Sequence, residues 1–240
     1  MTRGPQSILS SMQIVIVDDR CVDGSIDAMI QTCKTLLASY PIFFLTVLDH
    51  RLGQTTLDQK RQPMQSTILI TIDIISSRSP GVAGALNTGL EHCRSELIAR
   101  MDADDISAPG RLISQLKFMR GNPSVNVVGA SAVIFSTKDD RNENGCPILP
   151  YHSVAPSDKQ CHIVRTSLSV LDPGFLSWTM LFTCTITHPT VMFRKAAIEE
   201  VGGYDESIKY AEDYDLWLRL LGKDCRSILC LPFVGMWHRK

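Results

Sequence analysis

The chain has 240 residues, 44% apolar and 20% charged, which is long enough to bury one sizeable core and too apolar for a disordered chain. A formal net charge of −1 with no Lys/Arg cluster argues against a nucleic acid polymer as partner. No apolar run reaches the roughly 18 residues of a membrane span and no secretory signal is present at the start, so the expectation is a cytoplasmic protein without a transmembrane segment, peripheral attachment to a membrane being compatible with it.

Residues 13–17, a β-branched apolar run, stop at Asp18-Asp19 and suit a buried parallel strand; a helix is predicted over residues 25–37. Residues 51–66 are polar and unpatterned, and residues 67–75 return to strand composition. Ser79-Pro80-Gly81 punctuates, after which Ala85, Leu86, Leu90 and Cys93 fall at helical spacing. Residues 96–101 read as a strand ending at Asp102. The following helix takes Ser107 as its cap and Pro109 in its first turn, then runs through Leu112, Leu116 and Met119 to the stop at Gly121-Asn122-Pro123. Residues 125–129 form another strand, and residues 136–160 read as a polar surface excursion. Regularity resumes near Ser177, with a strand at 189–194, a short helix to Val201, a Gly202-Gly203 stop and a last helix over 211–221. Strands alternating with helices predict an α/β fold, a mostly parallel sheet flanked by helices in a single domain.

Eight cysteines are scattered without CxxC or zinc spacing, which favours free thiols over a disulfide framework.

In open α/β sheets ligands bind beyond the carboxyl ends of the strands, and two predicted strands end there in acids: Asp18-Asp19, and Asp102, Asp104 and Asp105. Clustered carboxylates repel one another unless a cation or hydrogen-bond donors neutralise them, and Mg²⁺ or Mn²⁺ binds through one or two carboxylates plus phosphate oxygens. Against this, a lone D-x-D is better explained as capping the next helix. Glu212-Asp213-Tyr214-Asp215 opens the last helix, where acids suit the dipole and Asp215 can pair with Arg219; alternatively one of these carboxylates is a general base. His188 is assigned to the acceptor side. Gly81-Val82-Ala83-Gly84 lacks a full phosphate-loop pattern and reads as a turn and close-packing element.

Three stretches together resemble the inverting family 2 glycosyltransferases, of GT-A fold in the nucleotide-diphospho-sugar transferase superfamily. They are residues 14–25, with Asp18-Asp19 and Asp23-Gly24-Ser25; residues 84–112, with Gly84-Ala85-Leu86-Asn87 and Asp102-Ala103-Asp104-Asp105; and residues 188–220, with His188-Pro189, Gly202-Gly203-Tyr204-Asp205 and Glu212-Asp213-Tyr214-Asp215-Leu216-Trp217. The resemblance implies a Rossmann-like GT-A sheet, a nucleotide-sugar half at about 13–135 and an acceptor and catalytic half at about 176–240. It implies that Asp18, Asp19, Asp102, Asp104 and Arg111 bind the nucleotide sugar, a UDP-sugar by preference. Asp104, with Asp102, would hold Mn²⁺ or Mg²⁺; Asp213, with Glu212, would supply the base; His188 and Trp217 would line the acceptor side. The acceptor would be a glycan, a lipid-linked or a small-molecule hydroxyl. Only 13 residues precede Ile14, too few for the strand-helix unit that opens the family pattern, and Arg20-Cys21-Val22 replaces its small turn residues. An alternative expectation is therefore an impaired or truncated member that binds nucleotide or a protein without turnover. A nucleotidyltransferase is a more distant third reading.

Overall fold

The computed structural model describes residues 11–39, 43–52, 54–57, 68–137, 161–167 and 170–239. By internal contacts the chain divides into two compact units, residues 1–95 with 204–212, and residues 96–203 with 213–240.

The first unit holds β1 (Ser11–Asp18), α1 (Ser25–Ser39), β2 (Phe43–Asp49), β3 (Gln54–Leu57), β4 (Ile68–Ser76) and α2 (Val82–His92). Its sheet runs β1-β4-β2-β3, parallel except for the β3 edge. Ile72 and Ile74 of β4 form the core with Ile14 and Ile16 of β1 and Ile26, Met29 and Ile30 of α1. The side chain between them, Asp73, is buried on the opposite face and is satisfied by Gln13, His50 and Arg94. The parallel strands and helices agree with the sequence reading. The hairpin β2–β3 differs from it: β2 was not predicted, and part of the stretch read as unpatterned is the edge strand β3, whose four residues, three of them polar, are too few to show a period.

The second unit holds β5 (Leu97–Ala99), β6 (Ile106–Ser107), α3 (Arg111–Gly121), β7 (Val127–Thr137), β8 (Cys161–Ser167), α4 (Pro173–Thr179), a 3-10 turn (His188–Thr190), β9 (Met192–Arg194), α5 (Lys195–Glu200), α6 (Glu212–Lys223) and β10 (Ile228–Arg239), with α6 beginning at the boundary between units. Its sheet is ordered β5-β9-β7-β10-β6, with β8 also on β7. Only β7 and β10 pair in parallel; β5, β6, β8 and β9 join antiparallel. Met119, Val125, Val128 and Met192 are its buried centre.

Two local predictions are corrected. Ser107 does not cap α3: with Ile106 it pairs with β10, and α3 starts after Gly110, whose φ of +78° suits glycine. The predicted strand at 189–194 begins as a 3-10 turn because Pro189 lacks the N–H a ladder needs. The polar excursion at 136–160 falls outside the described residues from 138 onward; Ser136 and Thr137 end β7. Cys21, Cys93, Cys184, Cys225 and Cys230 take part in no disulfide. Among the described residues no helix is long and apolar enough to cross a membrane.

Candidate active site

In the first unit, β1 ends at Asp18 and β2 at Asp49, the two strands that flank β4 in the parallel part of the sheet, and Arg51 bridges the two acids. Its guanidinium reaches Asp18 at 2.7 Å and Asp49 at 2.8 Å. The other Asp18 oxygen accepts the backbone N–H of Cys21 at 2.8 Å. Burial works to raise the Asp18 pKa, but the Cys21 N–H and Arg51 outweigh it and the net shift is downward; for Asp49 the Arg51 hydrogen bonds dominate and lower it. Both Asp18 oxygens are thus engaged within the protein. Asp19 accepts the Gly81 N–H through one oxygen at 2.8 Å, while its other oxygen is buried without a hydrogen-bond partner among the described residues. Gly81 has φ +95°, the turn the sequence suggested, and a Cβ at Gly84 would meet the Ser79 carbonyl oxygen at 2.6 Å, which makes Gly84 a close-packing glycine. Asn87 clamps Tyr204, donating to its carbonyl at 2.8 Å and accepting its N–H at 2.9 Å.

In the second unit, β5 leads into Arg100, whose backbone N–H bonds the Val191 carbonyl at 3.0 Å and so carries the ladder to the turn at Asp102. Arg100 forks onto both Asp102 oxygens, at 2.5 and 2.7 Å. Asp105 is buried and accepts the Arg239 N–H at 2.9 Å, with His238 Nδ1 at 3.0 Å. Burial raises the Asp105 pKa, with His238 and the Arg239 N–H partly opposing it. Asp102, Asp105 and His238 each offer a ligand atom, and these atoms lie within 4.8 Å of one another. Asp104, the expected leading ligand, is exposed on the same turn, and its carbonyl accepts from Arg239 Nε at 3.2 Å. Asp105, read from sequence as a helix cap, faces the end of β10 instead.

Beside this group, His188 Nδ1 lies 4.0 Å from Asp213. Burial, then the nearby Arg100 charge, holds the His188 pKa well below its ordinary value, so the ring is neutral near pH 7. Asp213 keeps a quarter of its side chain exposed. Glu212 is half-buried at the helix start, and Asp215 is tied to Arg219 at 2.6 Å, the pairing the sequence spacing allowed. Arg219 also donates to the carbonyls of Val201 and Gly203, so this pair fixes α6 to the end of α5.

Two expected contacts are placed elsewhere. Trp217 is fully buried and meets the His188 ring edge-on, with centroids 5.7 Å apart, so it supports His188 from the core instead of lining an open surface. Arg111 is 1% exposed and donates to Gln115, the Arg100 carbonyl and the Val191 carbonyl. Burial, then the Arg100 charge, brings its pKa down to about 10. It braces the backbone on either side of the turn. Sequence reasoning missed His238 and Arg100. The available signal for His238 was the apolar run from Ile228 to Trp237, masked by Pro232 and Gly235, which coincide with the register shifts of β10.

Comparison with known proteins identifies the family and the fold. The profile of Glycosyl transferase family 2 matches residues 64–202, more than half of the chain. A bifunctional glycosyltransferase, pgtA, of Dictyostelium discoideum is 30% identical over 190 residues, covering 74% of this chain and 24% of the relative. An Escherichia coli UDP-Gal:alpha-D-GlcNAc-diphosphoundecaprenol beta-1,3-galactosyltransferase is 30% identical over 155 residues, 65% of this chain and 48% of its own. The chain therefore spans about half or less of the length of these relatives. A mannosyltransferase of Pyrobaculum calidifontis, solved with GDP-Man and Mn²⁺, superposes with a TM-score of 0.51 at 16% identity, covering 94% of this chain and 47% of that one, which is a likeness of fold. The α/β architecture is that of the GT-A glycosyltransferases, and the chain belongs to glycosyl transferase family 2.

Proposed function

We propose that this protein transfers a sugar from a nucleoside-diphosphate sugar, a UDP-sugar by preference, to an acceptor hydroxyl with inversion and with help from a divalent cation. The observation that carries the reading is the meeting of Asp102, Asp105 and His238 at a strand end in a family 2 chain. The donor set, carboxylate oxygens and one imidazole, fits a hard or borderline cation; Mn²⁺ is preferred over Mg²⁺ because the imidazole suits it better. Exposed Asp104 and His238 would hold the ion, joined by Asp102 through a second lone pair of an oxygen that also accepts from Arg100. Asp105, buried and hydrogen-bonded to His238, would orient that ring, as outer-shell carboxylates do for metal-binding histidines. Bound there, the cation would neutralise charge growing on the departing diphosphate.

The protein's own groups supply the rest. Asp213 takes the acceptor proton; its partial exposure gives a hydroxyl access, and neutral His188 beside it neither cancels its charge nor competes for protons near pH 7. Trp217 packs against the His188 ring and keeps it in place. In the first unit, Asp19 would contact the nucleoside, whereas Asp18, with both oxygens used, positions the loop around it. A lipid-linked acceptor is the preferred substrate class, since the name of the Escherichia coli relative gives a diphosphoundecaprenol acceptor for that enzyme.

The test is a panel of sugar nucleotides with Mn²⁺, reading release of nucleoside diphosphate and the anomeric configuration of the product. Expected are release from one donor class, inversion, loss of activity in EDTA with recovery on added Mn²⁺, and strong loss in Asp104→Ala and His238→Ala. Turnover indifferent to EDTA refutes the metal-assisted reaction. The Arg100 fork on both Asp102 oxygens, together with the Asp19 oxygen unpaired among the described residues, favours one second reading, a nucleotide-binding module without turnover. Calorimetric UDP binding with no release from any donor would select it.

A further inference from the structure

The second unit carries an apolar surface that the proposed chemistry leaves unused. Leu171, Phe175, Trp178, Leu181 and Phe182 are 49, 55, 57, 67 and 71% exposed. Phe175 and Trp178 stack with centroids 5.8 Å apart, and Trp178 meets Phe182 at 5.1 Å, so the rings form a continuous row. The segment does not need this row to pack, because its inner side is supplied by Leu176 and Met180, both fully buried. Contiguous exposed apolar patches of this kind mark interaction surfaces.

Charge and position identify the occupant. No charged side chain occurs between Asp172 and His188, and Asp172 is itself occupied in capping α4, accepting the Phe175 N–H at 2.7 Å. The neighbouring turn, tied to α4 by the Ser177 hydroxyl on the Cys225 carbonyl, carries Asp224 and Arg226, one charge of each sign, and Lys223 just before it is paired with Glu200 at 3.1 Å. Protein interfaces surround their aromatic anchors with arginine and a polar rim, and an anionic surface would be met by surplus cations. Among the described residues Arg226 stands beside Asp224, so the turn next to the row adds no surplus of cations. Tryptophan, phenylalanine and leucine on one uncharged face suit the boundary between headgroups and acyl chains. The surface also adjoins the candidate base: the Tyr214 hydroxyl donates to the Met180 carbonyl at 2.6 Å, which ties the residue after Asp213 to the one before Leu181.

We propose that this aromatic face seats on the hydrocarbon of a lipid bilayer and presents Asp213 at the headgroup level, where a lipid-borne acceptor hydroxyl would lie. The location of the acceptor rests on the transferase reading; the membrane contact does not. Attachment is driven by apolar burial, so it is insensitive to salt and to lipid charge.

Vesicle flotation tests it, using the whole chain without donor or metal, on pure phosphatidylcholine vesicles and on vesicles with added phosphatidylglycerol, at low and high salt. Expected are equal partition into both kinds at both salt concentrations and quenching of Trp178 emission by brominated lipid, lost in Trp178→Ser. The triple substitution Phe175→Ser, Trp178→Ser, Phe182→Ser lowers partition at least about a hundredfold. All three side chains are more than half exposed, so thermal melting stays unchanged and reports that the variant is folded. The proposal is overturned if the wild type does not float, if the triple variant floats equally well, or if binding requires phosphatidylglycerol and disappears with salt. It is also overturned if ultracentrifugation shows a wild-type dimer that the triple substitution dissociates, since a second copy would then be the occupant. Flotation is read independently of turnover, so failure here and failure of the transferase reading are separate results.

Discussion

Single residues divide into those that touch reactants and those that hold others still. In the proposed reaction Asp213 belongs to the first group: Asp213→Asn keeps the shape and removes the basic oxygen, so kcat for transfer should fall by about 10²–10⁴ while donor affinity, measured by calorimetry, is retained. Arg51 belongs to the second. It is four-fifths buried between two carboxylates that are themselves about nine-tenths buried, and Arg51→Met would leave them uncompensated at a cost of about 3–5 kcal/mol. The sign of the pH effect follows from the lowered pKa values of Asp18 and Asp49. In the wild type their contribution is present above the ordinary carboxylate pKa near about 3.9 and is lost as pH falls through the lowered folded values. In Arg51→Met burial dominates, the folded pKa values rise, and stability is regained as pH falls. Urea midpoints should therefore differ most at pH 7 and converge toward pH 4; a constant difference would contradict this.

At the scale of elements, β10 matters beyond its place in the sheet, because it delivers His238 to Asp105 at its far end. Its path depends on Gly235, where a Cβ would stand 2.8 Å from that of Ala130 on β7. Gly235→Val should cost about 1–3 kcal/mol through overpacking. It should also weaken Mn²⁺ binding measured by calorimetry, since the strand must move and carry His238 with it. Undiminished metal affinity in a destabilised variant would separate His238 from the cation. The elements most readable in the sequence were those with a strong period or a sharp stop, such as β1, β4, α2 and α6. Missed were β2, β3, β6, β8, α4 and β10: β2 went unassigned ahead of a polar stretch, and β10 is broken by Pro232 and Gly235, residues that argue against a strand until a bulge is known to accommodate them.

For the whole molecule, binding of a ligand to the folded state alone must raise its melting temperature. If the proposed reaction holds, Mn²⁺ with UDP at about a hundred times their dissociation constant would add about 2.7 kcal/mol, or roughly 5–10 °C for a chain of this length. Scanning calorimetry should show that rise with the pair, and it should be largely lost in His238→Ala. The sequence by itself determined the alternating α/β character, the acids at the ends of β1 and β5, and the family motifs, because strand composition, turn residues and clustered carboxylates are written locally. Only the tertiary structure decided what each acid meets. Asp18 is neutralised by Arg51, a residue 33 positions away, and Asp105 faces His238, 133 positions away, across the pairing of β6 with β10. The burial of Trp217 and Arg111 likewise depends on neighbours brought together by folding, and no spacing along the chain encodes those contacts.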